Sequence, residues 1–322
     1  MRKIFVRDRM PFEGKEKRLE VFFSHDNEQK SLRTVSIAIW TNIINKTNAS
    51  LIQSSSSALF DAFVLSESSM FVYDCNILLI TCGQTTVLSA LPAITALARD
   101  LGMSLDHMQY SHANFRYPML QSSPYSNVQI ETSYMKNFHR DVQFTEVTCT
   151  QNMSWNCWTL FQRAHKVRPI YTLYLEDIDQ QVAQQYTQNT IERSGVYILE
   201  NAKLLTILQE LGTVLDAYAF HPCGLSANGE NKSQDGHWTL HVTPEPCNSF
   251  VSLEFCMDHD TQTTTISNFF KYWKPQKAQV IASGMATPFL EVENYDCVSK
   301  TTILAPGNVN MFVFSFCTSM RE

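Results

Sequence analysis

Short runs of β-branched and aromatic residues constrain the fold of this chain more than any other feature. Seven stand out, at residues 19–23, 77–81, 170–175, 213–220, 238–243, 250–255 and 311–317. Each has the length and composition of a strand, with side chains that suit a pleated, half-buried surface. Helical patterns between them are fewer. The clearest spans residues 85–101, where Leu88, Leu91, Thr95, Ala98 and Leu101 recur near helical spacing and Gly102 ends the run. Pro92 inside it implies a kink or a late helix start. Residues 177–188 and 263–273 are two further helical candidates, the second ended by Pro275. Strands in clusters with helices interspersed, without strict alternation, predict an α+β fold with antiparallel sheets.

At 322 residues the chain can bury a large core, and no long Pro-, Ser- or Gly-rich linker divides it. One domain over residues 1–322 is the expected organisation. A hydrophobic fraction of 44% with 17% charged residues describes a globular protein. The net charge of -6 leaves no basic footprint for nucleic acid. No stretch approaches the roughly 18 apolar residues of a membrane span. The opening Met1-Arg-Lys-Ile-Phe5 runs into Arg7, Asp8 and Arg9 and lacks a signal-peptide core. The nine cysteines are scattered, with no CxxC pair or zinc-ligand spacing. Reduced thiols, a cytoplasmic location and no metal are therefore expected. The serine cluster at 54–57 reads as a loop, and the polar stretch 228–236 as a connection between strands.

One segment does not fit a plain structural reading. In Phe63-Val-Leu-Ser-Glu-Ser-Ser-Met-Phe-Val72, two apolar flanks are interrupted by Ser66-Glu67-Ser68-Ser69. A polar run of this kind is ordinarily a turn or a strand edge. The whole string, however, closely resembles the self-cleavage site of the pyruvoyl-dependent S-adenosylmethionine decarboxylase family. Three more blocks resemble the same family in the same order: Phe12-Glu-Gly-Lys-Glu-Lys-Arg-Leu-Glu-Val21, Phe220-His-Pro-Cys-Gly-Leu-Ser-Ala-Asn-Gly229 and Trp238-Thr-Leu-His-Val-Thr-Pro-Glu245. With Thr81-Cys-Gly83 after the cleavage motif, the likeness reaches from residue 12 to about residue 256.

The resemblance implies a four-layer α/β/β/α sandwich, with two antiparallel sheets face to face and helices outside. It also implies autocatalytic serinolysis between Glu67 and Ser68, giving a β chain of residues 1–67 and an α chain of residues 68–322. The Ser68 hydroxyl would attack the Glu67 carbonyl, and a base would then remove the Ser68 Cα proton. Elimination and loss of ammonia would leave a covalent pyruvoyl cofactor, with no pyridoxal phosphate and no metal. The substrate implied is S-adenosylmethionine, bound as a Schiff base and decarboxylated to the aminopropyl donor of spermidine and spermine synthesis.

Site residues follow by position. His241 matches the processing base, Ser226 the residue that stabilises the cyclic intermediate, and Cys82 the proton donor after decarboxylation. Phe12 and Phe220 match the aromatic pair that sandwiches adenine, and Glu245 the carboxylate on the ribose hydroxyls. Leu65 and Glu67 stand where the family contacts adenine through its backbone. Glu13 and Glu16 match acids implicated in processing and in the active site. Taken singly, each of these has a plain structural reading: a strand histidine, a loop serine, a buried thiol, core phenylalanines, solvated carboxylates.

Departures from the pattern also carry meaning. His221 stands where the family usually has Asn, and Leu225 where it has Tyr. In animal members a buried charge cluster binds putrescine. Here Glu20 and Glu254 match its acids, but Ile80 replaces its lysine and the run after Trp158 lacks a further acid. This argues against putrescine activation. The sequence leaves monomer and homodimer both open. The main alternative function is a weak or inactive regulatory paralogue that binds an active decarboxylase subunit. A serine hydrolase using Ser68 and His241 has neither a G-x-S-x-G elbow nor an Asp partner.

Overall fold

Antiparallel pairing dominates the computed structural model, which describes residues 12–25, 30–66, 68–150, 153–163, 168–187, 194–246, 248–257, 262–284, 290–305 and 309–319. The first sheet has eight strands: β1 (Lys17–His25), β2 (Leu51–Ser56), β3 (Asp61–Leu65), β4 (Ser68–Val72), β5 (Asn76–Thr81), β6 (Met103–Ala113), β7 (Gln143–Thr150) and β8 (Met153–Phe161). Their spatial order is β2-β3-β4-β5-β1-β6-β8-β7. The second sheet also has eight: β9 (Ile170–Glu176), β10 (Thr213–Ala219), β11 (Leu225–Asn231), β12 (Gly236–Thr243), β13 (Phe250–Cys256), β14 (Lys277–Ser283), β15 (Tyr295–Ala305) and β16 (Val309–Thr318). They run in the order β10-β11-β12-β13-β9-β14-β16-β15. Helices α1 (Ile37–Asn45), α2 (Leu91–Asp100) and α3 (Val128–Phe138) accompany the first sheet. The second has α4 (Gln180–Ala183), α5 (Gly195–Asn201), α6 (Leu205–Leu211) and α7 (Gln262–Trp273).

Two-residue alternation decides what each face of a sheet meets. On β1, Leu19, Val21 and Phe23 join Trp40 of α1, Ile94 of α2 and Met135 of α3 in one apolar cluster. The alternate residues Arg18 and Glu20 face the other sheet, where Arg18 bonds Glu254 of β13. On β12, Trp238, Leu240 and Val242 pack with Leu199, Leu208, Phe269 and Trp273 of the helices. Each such fully buried apolar side chain contributes about 1.5–3 kcal/mol. His237, Thr239 and His241 point the opposite way, between the sheets. The result is the four-layer order helix, sheet, sheet, helix. Smaller apolar clusters flank the inter-sheet layer, one holding Trp155 and Cys157 with Tyr174 and Ile281 from the facing sheet.

Tight packing fixes one glycine in this frame. Gly229 is the cross-strand partner of Trp238, and a Cβ there would stand 1.9 Å from the indole ring.

Several local readings change. The serine cluster expected as a loop lies mostly in β2, an edge strand whose mostly exposed face tolerates hydroxyls. The stretch 228–236 is not a connection throughout: β11 continues to Asn231, leaving a single 3-10 turn over Lys232–Gln234. Asn228 reaches Ser69 of the facing sheet and Glu230 shares its parity, so polarity there marks a site and not a loop. Pro92 sits in the first turn of α2, which begins late at Leu91 after a 3-10 segment. The helix expected over 177–188 is one α-helical turn followed by a 3-10 turn at Gln184–Tyr186. Among the described residues no helix is long and apolar enough to cross a membrane.

Candidate active site

Ser68 opens β4 with φ at 131°, a conformation that L side chains rarely adopt. Ladders on both sides hold it there, to Leu65 of β3 and to Thr81 of β5. A non-glycine residue in such a region costs about 1–3 kcal/mol and persists only where its surroundings over-determine it. The polar run therefore divides: Ser66 is in the turn, while Ser68 and Ser69 are buried strand residues.

Cys82 follows the register partner of Ser68, and this places its thiol at the serine hydroxyl. Ser68 Oγ donates to Cys82 Sγ at 3.4 Å. The corner at Cys82–Gly83 is anchored by the segment before β1. Gly83 N–H donates to the Glu13 carbonyl at 2.8 Å, and Lys17 Nζ donates to the Gly83 carbonyl at 2.9 Å. The Glu13 carboxylate accepts from the backbone of Lys15 and of Tyr117, so Glu13 shapes this corner and does not line the cavity.

His241 faces Ser226 across the β11–β12 ladder and is held at both ring nitrogens. Nδ1 lies 2.5 Å from Glu16 Oε1, an oxygen that also accepts from Ser252 Oγ at 2.5 Å. A Glu16 carboxylate there selects the Nδ1–H tautomer and leaves Nε2 with a lone pair. Nε2 lies 2.9 Å from Ser69 Oγ and 3.2 Å from Thr239 Oγ1. Both hydroxyls donate to Asn228 Oδ1, each at 2.8 Å. The ring is thus tethered to the residue after Ser68 and not to the Ser68 hydroxyl.

A cavity of about 450 Å³ opens on this group and is lined by Phe12, Ser66, Ser68, Cys82, Phe220, His221, Cys223, Leu225, Ser226, His241 and Glu245, among others. That volume suits a drug-sized ligand, and the lining mixes apolar side chains with a few polar groups. Phe12 N–H reaches Glu245 Oε2 at 3.4 Å, tying the aromatic residue to the carboxylate. Leu65 lies next to Ser68 in register, but its side chain is buried toward the helices. Glu67 lies outside the described residues. Among those residues, no group of three or more His, Cys, Asp or Glu side chains is placed to hold a metal ion.

A second buried polar group lies deeper between the sheets. Arg18 donates to Glu254 through Nε at 2.7 Å and Nη2 at 2.9 Å, and to Glu20 through Nη2 at 2.8 Å. Thr172 also donates to Glu254, and His237 contacts it at 3.2 Å while touching the Tyr73 hydroxyl at 2.9 Å. Burial opposes the charge on Glu254, but Arg18 and His237 outweigh it and hold that carboxyl well below the usual range. Burial likewise opposes a charged His237, yet Cys256 and Glu254 push it up to about 9.

Sequence reasoning brought Ser68, Cys82, Ser226, His241, Phe12, Phe220 and Glu245 to one cavity and Glu16 to the ring behind it. It missed Ser69, Thr239, Asn228 and Ser252, and the role of Arg18. Strand parity held part of that signal, because Thr239 must share a face with His241, and Asn228 with Ser226.

The chain is similar to known proteins of one family. The family model described as adenosylmethionine decarboxylase matches residues 9–302. An S-adenosylmethionine decarboxylase proenzyme of Xenopus laevis is 33% identical over 293 residues, covering 83% of this chain and 81% of that protein. A proenzyme of the same description from Caenorhabditis elegans is 33% identical over 259 residues, covering 77% of this chain and 69% of the other. The fold is similar to the crystal structure of a Trypanosoma brucei AdoMetDC-delta26 monomer, with a TM-score of 0.62 and 17% identity over 78% of this chain and 99% of that one.

Proposed function

The chain belongs to the adenosylmethionine decarboxylase family, and we propose that it decarboxylates S-adenosylmethionine with a pyruvoyl group made from its own Ser68. The observation that carries this reading is the state of Ser68: held at a φ of 131°, buried in a double-sided ladder, with its hydroxyl on the Cys82 thiol. Strain at the one residue that must be broken open gives cleavage a local driving force.

The steps divide among residues already placed. Ser68 Oγ attacks the preceding carbonyl, and the acyl group moves from nitrogen to oxygen, making an ester. Ser226, across the ladder from His241, is the hydroxyl offered to the tetrahedral oxyanion. His241, tethered to Ser69, is suited to take the Ser68 Cα proton and not the hydroxyl proton. Glu16 then stabilises the imidazolium. The ester leaves as the Glu67 carboxylate, and hydrolysis of the resulting dehydroalanine releases ammonia. The cavity fits the product group, since Ser68 lines it beside Cys82 and His241. Once formed, the pyruvoyl carbonyl supplies the electron sink for loss of carbon dioxide. Cys82 delivers a proton to the substrate carbon, Phe12 and Phe220 face the base, and Glu245 meets the ribose.

Arg18 explains the missing lysine of the putrescine cluster. Its guanidinium sits on Glu20 and Glu254, and His237, raised to about 9, is also on Glu254. Two built-in cations thus face two carboxylates, so the enzyme needs no diamine. Purified protein assayed for cleavage and for carbon dioxide release, with and without putrescine, tests both statements. A chain that stays whole and releases no carbon dioxide from S-adenosylmethionine would count against the reading.

A further inference from the structure

Asp216 is a buried carboxyl group with no task in the mechanism above. It lies on β10, the edge strand of the second sheet, and its Oδ2 accepts from Ser55 Oγ on β2, the edge strand of the first, at 2.5 Å. Its register partner is Asn228. That is the amide whose Oδ1 accepts from both Ser69 and Thr239 beside His241. Oδ1 of Asp216 and Nδ2 of Asn228 are both buried without a hydrogen-bond partner among the described residues, so one unpaired acceptor and one unpaired donor stand on cross-strand neighbours.

An amide has one accepting and one donating end, whereas a carboxylate only accepts. A carboxylate across the ladder therefore favours, through its charge, the amide orientation that turns Nδ2 toward it. With Oδ1 turned toward them, the Ser69 and Thr239 hydroxyls spend their protons on Asn228. Their oxygens then face His241 Nε2 with lone pairs. That arrangement leaves Nε2 unblocked and favours its protonation, because the same oxygens can accept from Nε2–H once the proton arrives. If the amide flipped, Ser69 could donate to Nε2 and occupy the base.

We propose that Asp216 is a positioning residue for self-cleavage: its carboxylate orients Asn228, which draws the Ser69 and Thr239 protons away from His241 Nε2 and keeps that nitrogen a free base. This rests on the self-cleavage reading above. Burial pushes Asp216 up to about 6, against the pull of Ser55 and Asn228. The folded chain thus holds this charge at neutral pH at a cost to stability, and an asparagine would be the more stable choice.

The test is a cleavage time course on full-length chain made by cell-free translation, read on a denaturing gel beside melting temperatures. Asp216→Asn should slow cleavage about ten-fold or more, the signature of an impaired general base, with an unchanged or higher melting temperature. The swapped pair D216N/N228D keeps one carboxylate and one amide with the same polarity toward Ser69 and Thr239. It should recover most of the rate, and it stays informative if Asp216→Asn alone does not fold. Wild-type cleavage in Asp216→Asn, a loss of rate matched by a loss of stability, or a swap as slow as the single variant would overturn the proposal. A wild-type chain that never cleaves would sink the self-cleavage reading and this inference with it. A wild type that cleaves no faster than Asp216→Asn would sink this inference alone.

Discussion

Replacing Arg18 by Leu probes the inter-sheet charge cluster most sharply. Arg18 makes three hydrogen bonds to two buried carboxylates, and the substitution leaves Glu20 and Glu254 facing each other without it. Removing one partner of a buried ion pair costs about 3–5 kcal/mol, and His237 on Glu254 holds the loss toward the lower end. With an unfolding entropy of about 2.1 cal/mol/K per residue, that converts to a fall of roughly 4–7 °C in melting temperature. The pH dependence is the stronger signature. Glu254 is depressed below its ordinary 4.5, so its contribution is present above that value and fades as pH falls below it. In Arg18→Leu the depression is lost, so the penalty is largest near neutral pH and shrinks toward pH 5 as the carboxylates take up protons. Scanning fluorimetry at pH 7.5 and pH 5 reads both effects. A fall below about 1.5 °C (roughly 1 kcal/mol on the same conversion), or one equal at both pH values, would refute the reasoning.

Other expectations are simpler to check. Cys82→Ala should still cleave but lose about 10²–10⁴-fold in turnover, measured as carbon dioxide release, because the proton donor is gone while the cleavage base remains. His241→Ala should stall before elimination, leaving an ester that hydroxylamine cuts and water alone does not. Gly229→Ala drives a methyl into the Trp238 ring and should cost about 1–3 kcal/mol in a denaturant titration. His237, raised from 6.5 to about 9, contributes stability that is fully present below its unfolded value and lost as pH rises through about 9. His237→Gln should therefore flatten the alkaline limb of the stability profile.

Much of the fold was readable because strand composition is local. Six of the seven runs lie wholly within strands of the structure, and the run 213–220 overshoots its strand, β10, by Phe220 alone. What was not readable depended on partners far away in sequence. Residues 54–56 look like loop in isolation, and only pairing with β3 makes them a strand. Residues 228–231 look like a polar connection because nothing local says that a second polar sheet face lies opposite. The site divides the same way. Ser68, Cys82, Ser226 and His241 were legible from blocks that resemble a family. Arg18 was quoted in one of those blocks, yet its task is set by Glu254, which lies 236 residues away. Strain at Ser68 could not be seen at all, since it arises from two ladders closing on one residue.

The mass of the freshly purified chain tests the central claim most directly. The account predicts two fragments, residues 1–67 ending in an intact Glu67 and residues 68–322 lacking one ammonia relative to a serine N-terminus. Ser68→Ala, by contrast, should give a single uncut chain. An uncut wild-type chain, or a second fragment beginning with ordinary serine, would contradict it.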